Sequence, residues 1–486
     1  MPEIDLNTVA SNVIWTTFAV TVLLGIVLQK TRFCTMGAVT DLMVMGEWTR
    51  MRQWLLAIGV AMIGVGLMGY LGVIDPGKSI YTGARLTWLS TIVGGVMFGF
   101  GMVLASGCGS KTLIRIGAGN LKSLVVFLTL ALSSYMTLKG VFGVLRVNTV
   151  DSVALTLSTS QDLPSVLAAQ WGIAKNSLQL GLALVLGSAL MTFALARKDF
   201  WNFNNLLAGF GVGGAIVAIW WISGSLGYVA EDPNTLEEVF VATNSGRMES
   251  LTYVAPYAYV IEWLTFFSDT SKKITLGIIS VFGLVIGSLI YSLATKTFHW
   301  ESFRNAEDTG NHLIGGMLMG IGGVTAMGCT IGQGLTGIST LAINSFIAFA
   351  AFVVGAALAM KYLQWRLLPP PCEPVIAGNN STYHSNTGGC GMPLQIACHT
   401  DQFGTLGQIG PEDVAEIARQ GYKSIINNRP DGEGGPTQPL SAEVEVAAKA
   451  LGLNYVYLPV ISGQITLEQA QEMARLLETL PGPVLA

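Results

Sequence analysis

Three cysteines in the apolar part of the chain are the residues best suited to chemistry. Cys34 follows the basic residues Lys30 and Arg32, whereas Cys108 and Cys329 each stand directly after a glycine. A buried thiol is polarisable, and it is both a weak hydrogen-bond donor and a weak acceptor. One buried cysteine is usually just a small apolar residue, but all three here lie at the ends of apolar segments. We therefore predict that they act as a set.

Three kinds of chemistry would suit such a set. Disulfide exchange is one, although thiols on the intracellular side of a membrane are kept reduced. Copper(I) or zinc binding is another, although no CxxC pair accompanies these cysteines. The third is weak S–H hydrogen bonding to a sulfur-containing anion, because conduction requires binding that is weak enough for release. The residues alone leave these alternatives open.

The composition indicates a polytopic membrane protein with an aqueous tail. Of the 486 residues, 51% are hydrophobic and only 12% are charged, whereas soluble domains average about 25% charged residues. Residues 1–366 contain 21 Lys and Arg against 18 Asp and Glu, but residues 367–486 contain 5 against 12. The acidic second part indicates water as its surroundings. Neither part is basic enough to suggest nucleic acid as a partner.

About nine segments have the length and apolarity to cross a bilayer, which takes about 20 residues. They are 11–28, 54–74, 86–105, 123–145, 177–196, 206–224, 274–294, 312–327 and 340–363. Lys and Arg are more frequent at the boundaries that are internal when the amino terminus is outside. We therefore predict an external amino terminus, a cytoplasmic carboxyl-terminal domain, and an external loop over residues 225–271.

Two of these segments form an internal repeat. VGGVMFGFGMVLASGCGSKTL begins at Val93, and IGGMLMGIGGVTAMGCTIGQGL begins at Ile314. The identical pairs are Gly94/Gly315, Gly95/Gly316, Gly99/Gly320, Gly101/Gly322, Gly107/Gly328 and Cys108/Cys329. The predicted spans give the two copies opposite orientations, as in transporters with inverted repeats. The glycines beside each cysteine predict a helix that breaks inside the membrane, where freed backbone N–H groups attract anions.

We therefore predict an α-helical polytopic membrane protein with inverted repeats and broken, re-entrant helices over residues 1–366. Arg115, Asn120 and Gln333 lie in the cysteine-containing blocks. Each is a candidate for positioning a ligand, and each is equally consistent with a polar residue at a helix end or interface.

The segments QKTRFCTMGAVTDL, GGVMFGFGMVLASGCGSKTLIRIGAGN and GGMLMGIGGVTAMGCTIGQGLTG resemble the YeeE/YedE family of sulfur transport proteins. The resemblance covers about residues 10–366. It implies uptake of thiosulfate, or a similar anion, through the cell inner membrane along a path lined by Cys34, Cys108 and Cys329. It also implies thiol–anion hydrogen bonds, no cofactor and no obligatory persulfide, so that the chain is a transporter and not an enzyme.

One residue departs from the family pattern, because Lys111 stands where a small residue, commonly Gly, is expected. This charge near the path leaves the identity of the substrate more open. Transport of a selenium compound or soft metal is one alternative function, and a membrane thiol oxidoreductase is another.

The tail is predicted to contain a linker over residues 367–402 and a small α/β domain over 403–486. The linker includes the proline run 369–371 and three further cysteines, Cys372, Cys390 and Cys398, which fit no common metal-site spacing. Within the domain we predict helices over 410–420, 441–450 and 466–479, and strands over 422–427, 453–458 and 483–486. The last strand begins where the chain stops, so we expect a truncated domain.

The motifs IINNRPDGE and LPGPVLA resemble the DUF442 family of phosphatase-like domains, which are related to part of some β-lactamase-hydrolase-like sulfur proteins. In that family a Cys-x-x-G-x-R anion-binding loop follows, and this sequence lacks it. We therefore expect no catalysis by the chain. The resemblance implies a cytoplasmic domain that handles the transported sulfur compound, with a sulfur-carrier protein as a candidate partner.

Overall fold

A computed structural model describes residues 5–232, 236–303, 305–367, 394, 396–433, 435, 438–460 and 466–486. The chain divides into two compact units, Met1–Tyr362 and Leu363–Ala486. Of the predicted linker, residues 368–393 and 395 lie outside the described residues, and with them the proline run, Cys372 and Cys390.

The first unit is helical. Its helices are α1 (Leu6–Thr31), α2 (Thr35–Thr40), α3 (Thr49–Tyr70), α4 (Trp88–Leu104), α5 (Gly109–Gly117), α6 (Leu121–Lys139), α7 (Val141–Asn148), α8 (Leu163–Trp171), α9 (Lys175–Leu195), α10 (Phe203–Trp221), α11 (Ala255–Thr265), α12 (Leu276–Ala294), α13 (Ala306–Thr325) and α14 (Ile343–Leu367). Three π-helical turns occupy Asp41–Met45, Ile222–Leu226 and Gly332–Gly337. Two short antiparallel ribbons pair β1 (Arg85–Leu86) with β2 (Leu155–Thr156) and β3 (Tyr228–Val229) with β4 (Val239–Phe240).

Side-chain caps start several of the long helices. Asp5 accepts from the Asn7 backbone N–H at α1, and Asn305 accepts from the Asp308 N–H at α13. Because the first N–H groups of a helix have no partner within it, such caps stabilise its start by about 1 kcal/mol.

Each of the nine predicted spans coincides with a long helix of the described residues, and eight helical stretches are long and apolar enough to cross a membrane. The remaining helix is α13, whose first two turns carry Glu307, Asp308 and His312. Apart from these polar residues α13 is rich in glycine, which lowers its hydropathy. Its counterpart in the repeat, α4, is among the eight.

The inverted repeat is visible in the packing of α4 against α13. A Cβ atom on Gly94 would lie 2.6 Å from the carbonyl oxygen of Gly322, and one on Gly315 would lie 2.7 Å from that of Gly101. Gly94 and Gly315 are equivalent in the repeat, and so are Gly101 and Gly322. The two contacts therefore exchange under a local two-fold axis, which gives α4 and α13 opposite directions. Glycine lets the backbones approach this closely.

The segment 225–271, predicted to be an external loop, is not a loop throughout, because its second half contains α11 and is largely buried. Leu251, Tyr253, Val254 and Tyr257 are fully buried, and α11 packs against α6 and α12. The charged residues near both ends of this segment suggested a solvated loop. However, the apolar stretch LTYVAPYAYV between them is too short to register as a membrane span, and it enters the helical bundle.

The second unit is a small α/β domain. Its elements are β5 (Ala397–Thr400), β6 (Phe403–Thr405), α15 (Val414–Arg419), β7 (Ser424–Asn427), α16 (Ser441–Ala450), β8 (Asn454–Tyr457), α17 (Leu467–Thr479) and β9 (Val484–Leu485). The sheet order is β5-β6-β9-β7-β8, with β5 antiparallel to β6 and the remaining pairs parallel. Its core contains Val414, Ile425, Val444 and Leu485.

All six elements predicted for this domain are present. Two further strands, β5 and β6, were not predicted, and β5 lies inside the segment predicted to be linker. Both are too short to show the alternation that marks a strand, and they are held by pairing with each other and, for β6, with β9.

The reciprocal packing yields a stability prediction. Gly94→Ala and Gly315→Ala place a Cβ against backbone atoms that cannot move aside, so each should lower stability by about 1–3 kcal/mol. Gly214→Ala on α10 is the matched control, because nothing lies within 4 Å of its added Cβ. Thermal unfolding of the detergent-purified protein measures the effect. Equal stability of all three variants would contradict the close pairing of α4 with α13.

Candidate functional site

The first repeat breaks between α4 and α5. Ser106 adopts a left-handed backbone conformation with φ of 57°, and the Gly107 N–H donates to the Met102 carbonyl at 2.8 Å. This arrangement closes α4 by satisfying one of its last carbonyls. The chain is then extended at Cys108, which is the cap residue of α5.

The second repeat breaks in the same way after α13. Met327 has φ of 58°, and the Gly328 N–H donates to the Gly323 carbonyl at 2.8 Å. Cys329 follows, and a short helical segment with a π-helical turn over Gly332–Gly337 continues the chain. The prediction that each helix breaks at its Gly-Cys pair is therefore confirmed.

Cys34 and Cys108 are neighbours. Cys34 caps α2 and its Sγ accepts from the Gly37 N–H at 3.4 Å. The next residue, Thr35, places its hydroxyl 4.0 Å from the Cys108 Sγ. The Cys108 Sγ also lies 3.4 Å from the Ser110 hydroxyl. A single residue thus connects the first two thiols, although they are far apart in sequence.

Cys329 is held by the buried segment 252–257, which runs into the first turn of α11. Its Sγ accepts from the backbone N–H groups of Tyr253 at 3.3 Å and Gly332 at 3.4 Å, and the Thr252 hydroxyl lies 4.0 Å away. The same segment contacts the other repeat, because the Tyr257 hydroxyl donates to the carbonyl of Gly109 at 2.5 Å. Residues 252–257 therefore bridge the two breaks.

The three thiols form one buried group in which each cysteine precedes or caps a short helix. Their exposed fractions are 8% for Cys34, 1% for Cys108 and 1% for Cys329, and none is in a disulfide. Cys108 lies within electrostatic reach of both other thiols. Helix starts present N–H groups and partial positive charge. Each thiol therefore lies at the start of a helical segment, where backbone N–H groups and partial positive charge are found.

Arg115 and Gln333 lie at the breaks and satisfy backbone groups there. The Arg115 guanidinium donates to the Ser106 carbonyl at 2.9 Å. The Gln333 amide donates to the Ala326 carbonyl at 2.7 Å and accepts from the Ser345 hydroxyl at 2.6 Å. These contacts stabilise the breaks, and a role in binding a ligand stays a prediction for both residues.

Asn120 has a different position. Its side chain accepts from the Ser123 N–H at 2.8 Å as the cap of α6, and it donates to Glu301. It serves as a helix-end residue, which is one of the two roles that its sequence context allowed.

Sequence reasoning did not single out Thr35, Thr252, Tyr253 or Tyr257. Thr35 directly follows Cys34 and could have been found from that neighbour alone. The other three gave no motif or periodicity, and only the burial of their segment reveals that they contact the breaks. Among the described residues, no group of three His, Cys, Asp or Glu side chains is placed to hold a metal ion.

Comparison with known proteins identifies the membrane unit. Residues 30–358 match the family model described as "Sulphur transport". The chain belongs to this family. The resemblance carried by its three cysteine-centred blocks is therefore confirmed, and the protein is a multi-pass membrane protein.

Two curated members of this family illustrate the similarity. The thiosulfate transporter TsuA of Escherichia coli is 27% identical over 342 residues, which cover 68% of this chain and 90% of that protein. The thiosulfate transporter TsuA of Spirochaeta thermophila is 28% identical over 352 residues, which cover 70% of this chain and 96% of that protein. The match thus spans nearly the whole length of each transporter.

The tail of this sulphur transport family member matches a second model. Residues 395–486 match the "Beta-lactamase hydrolase-like protein, phosphatase-like domain". A β-lactamase hydrolase-like protein of Xylella fastidiosa is 38% identical over 92 residues, which cover 19% of this chain and 21% of that protein. The predicted fusion of a transport unit with a phosphatase-like domain is confirmed.

The α/β domain has a pocket of about 270 Å³ whose lining includes Asn427, Asn428, Arg429 and Ala486. It lies at the carboxyl ends of the parallel strands β7 and β9, the edge where open α/β sheets bind ligands. The Arg429 Nε is 3.1 Å from the Glu433 carboxylate, so the positive charge beside this pocket already has an acidic partner.

The contacts of Gln333 yield a second prediction. Gln333→Met leaves the Ala326 carbonyl and the Ser345 hydroxyl without their partner, which should lower stability by about 1–3 kcal/mol. Ser345→Ala removes only one of these hydrogen bonds and should have the smaller effect. Thermal unfolding ranks the two variants. A Gln333→Met protein that is fully stable but inactive in uptake would instead favour a direct role in binding the substrate.

Proposed function

We propose that this protein takes up thiosulfate, or a similar small sulfur-containing anion, along a route lined by Cys34, Cys108 and Cys329. The observation that carries the proposal is the convergence of three free, buried thiols from separate blocks at two helix breaks. The thiols relay the anion by S–H hydrogen bonds, and no covalent persulfide is an obligatory intermediate.

The chemistry of the group suits a relay. Because an S–H group is a weak donor, it binds a soft sulfur atom without holding it tightly. The breaks add backbone N–H groups and partial positive charge, which favour an anion. A path needs sites that are attractive enough for entry and weak enough for release.

The curated relatives support the choice of substrate. Both are thiosulfate transporters, and the match covers 90% and 96% of their lengths. We carry the named substrate over to this chain because the family match spans all three cysteine blocks.

The proposal includes an orientation in the inner membrane, with the amino terminus outside and the tail in the cytoplasm. The excess of Lys and Arg at the inner boundaries supports it. The phosphatase-like domain would then receive or process the imported sulfur compound, together with a cytoplasmic sulfur-carrier protein.

Cysteine substitutions test the relay. Cys108→Ala should lower uptake of labelled thiosulfate into proteoliposomes at least about tenfold, because the relay loses the thiol that lies near both of the others. Cys329→Ser keeps a similar size but replaces soft sulfur by oxygen, so its uptake should fall as well.

Cys372→Ala is the cysteine control, since position 372 lies outside the residues that match the transport family. Sulfate and selenite serve as competitors that separate thiosulfate transport from transport of other oxyanions. Normal uptake by Cys108→Ala protein that inserts at wild-type levels would refute the relay.

The orientation has its own test. A reporter that is active only in the cytoplasm should be active when it is fused to the carboxyl terminus, and a reporter that is active only outside should be inactive there. A membrane-impermeant reagent should not reach the tail in intact cells. Labelling of the tail from outside would reverse the proposed topology.

A further inference from the structure

Lys111 places a positive charge beside the thiols. It lies in the first turn of α5, and its side chain packs against the first break, since a Cβ atom on Gly107 would lie 3.1 Å from the Lys111 Cγ. Its ammonium group is within electrostatic reach of the Cys34 and Cys108 thiols and of the Arg50 and Arg115 guanidinium groups. Lys111 is therefore a basic residue close to two of the three thiols, Cys34 and Cys108.

The two neighbouring cations have partners of their own. The Arg50 Nε lies 3.3 Å from the Asp41 carboxylate. The Arg115 guanidinium donates to the Ser106 carbonyl at 2.9 Å. By contrast, Lys111 makes no hydrogen bond or ion pair with the part of the chain that the structure describes. Its charge is thus available to a ligand.

The position of Lys111 is unfavourable for the protein itself. A cation near a helix start opposes the partial positive charge of the unpaired N–H groups. The nearby guanidinium groups add like-charge repulsion, which is strong where water is scarce. An uncharged side chain would fit this turn better, so packing and stability do not account for a lysine here.

We propose that Lys111 is a substrate-binding residue that selects doubly charged anions. Its ammonium binds the oxyanion end of the substrate while the Cys34 and Cys108 thiols contact the sulfur end. The site thereby favours an anion that combines a hard oxygen end with a soft sulfur end. This assignment rests on the proposed function and specifies the substrate class of the same route.

The test uses the full-length protein in proteoliposomes with labelled thiosulfate. Lys111→Met removes the charge at similar length, and it should raise the KM about tenfold because a hydrogen bond to a charged group is lost. Lys111→Arg keeps the charge and should stay close to the wild-type KM. Lys198→Met, a change of an exposed lysine, is the control for the loss of one positive charge.

Two further readouts separate binding from a structural role. The thermal stability of Lys111→Met should equal or exceed that of the wild type, since an unfavourable charge is removed. An unchanged KM, or a fall in maximal rate and stability without a change in KM, would overturn the role of Lys111 while leaving thiosulfate uptake by the wild type intact. Absence of thiosulfate uptake by the wild type would overturn the proposed function and this assignment with it.

Discussion

A helix that ends inside a bilayer exposes backbone groups that lipid cannot satisfy, and the membrane unit is organised around two such ends. Each is closed by a residue in the left-handed conformation, Ser106 or Met327, followed by a backbone hydrogen bond across the turn. Side chains satisfy further backbone groups, since Arg115 and Gln333 donate to carbonyls at the breaks. In hydrocarbon each backbone N–H or C=O group without a hydrogen-bond partner would cost several kcal/mol. The surrounding helices must therefore supply the partners.

The same arrangement positions the thiols of the proposed relay. A thiol can accept an N–H bond from its own helix start, as Cys34 does from Gly37 and Cys329 from Gly332. These bonds fix the sulfur atoms without using the S–H donors. The proposed relay would use the S–H groups as donors, and such donors are weak enough for an anion to leave again. In that proposal, rigid positioning and loose binding are combined at one site.

The two-fold relation between α4 and α13 places each break beside a glycine of the other helix, since a Cβ atom on Gly94 would lie 2.5 Å from the Ala326 N and one on Gly315 would lie 2.7 Å from the Ala105 N. Glycine at equivalent positions permits backbone contact, so the register between the helices is set by main chain rather than by adaptable side chains. The segment with Tyr253 and Tyr257 then bridges the breaks through one bond to Cys329 and one to Gly109. This segment does not belong to the sequence repeat, and it makes the two sides of the site chemically different.

The sequence by itself determined the long helices, the inverted repeat and the break at each Gly-Cys pair, because apolar length and glycine spacing act locally. It also determined the α/β elements of the tail, apart from β5 and β6, which depend on pairing with neighbouring strands. Only the tertiary structure decided that Thr35 adjoins Cys108, that Leu251, Tyr253 and Tyr257 are buried, and that Lys111 lacks a partner among the described residues. These features depend on contacts between distant segments, and no local pattern of residues encodes which segments meet.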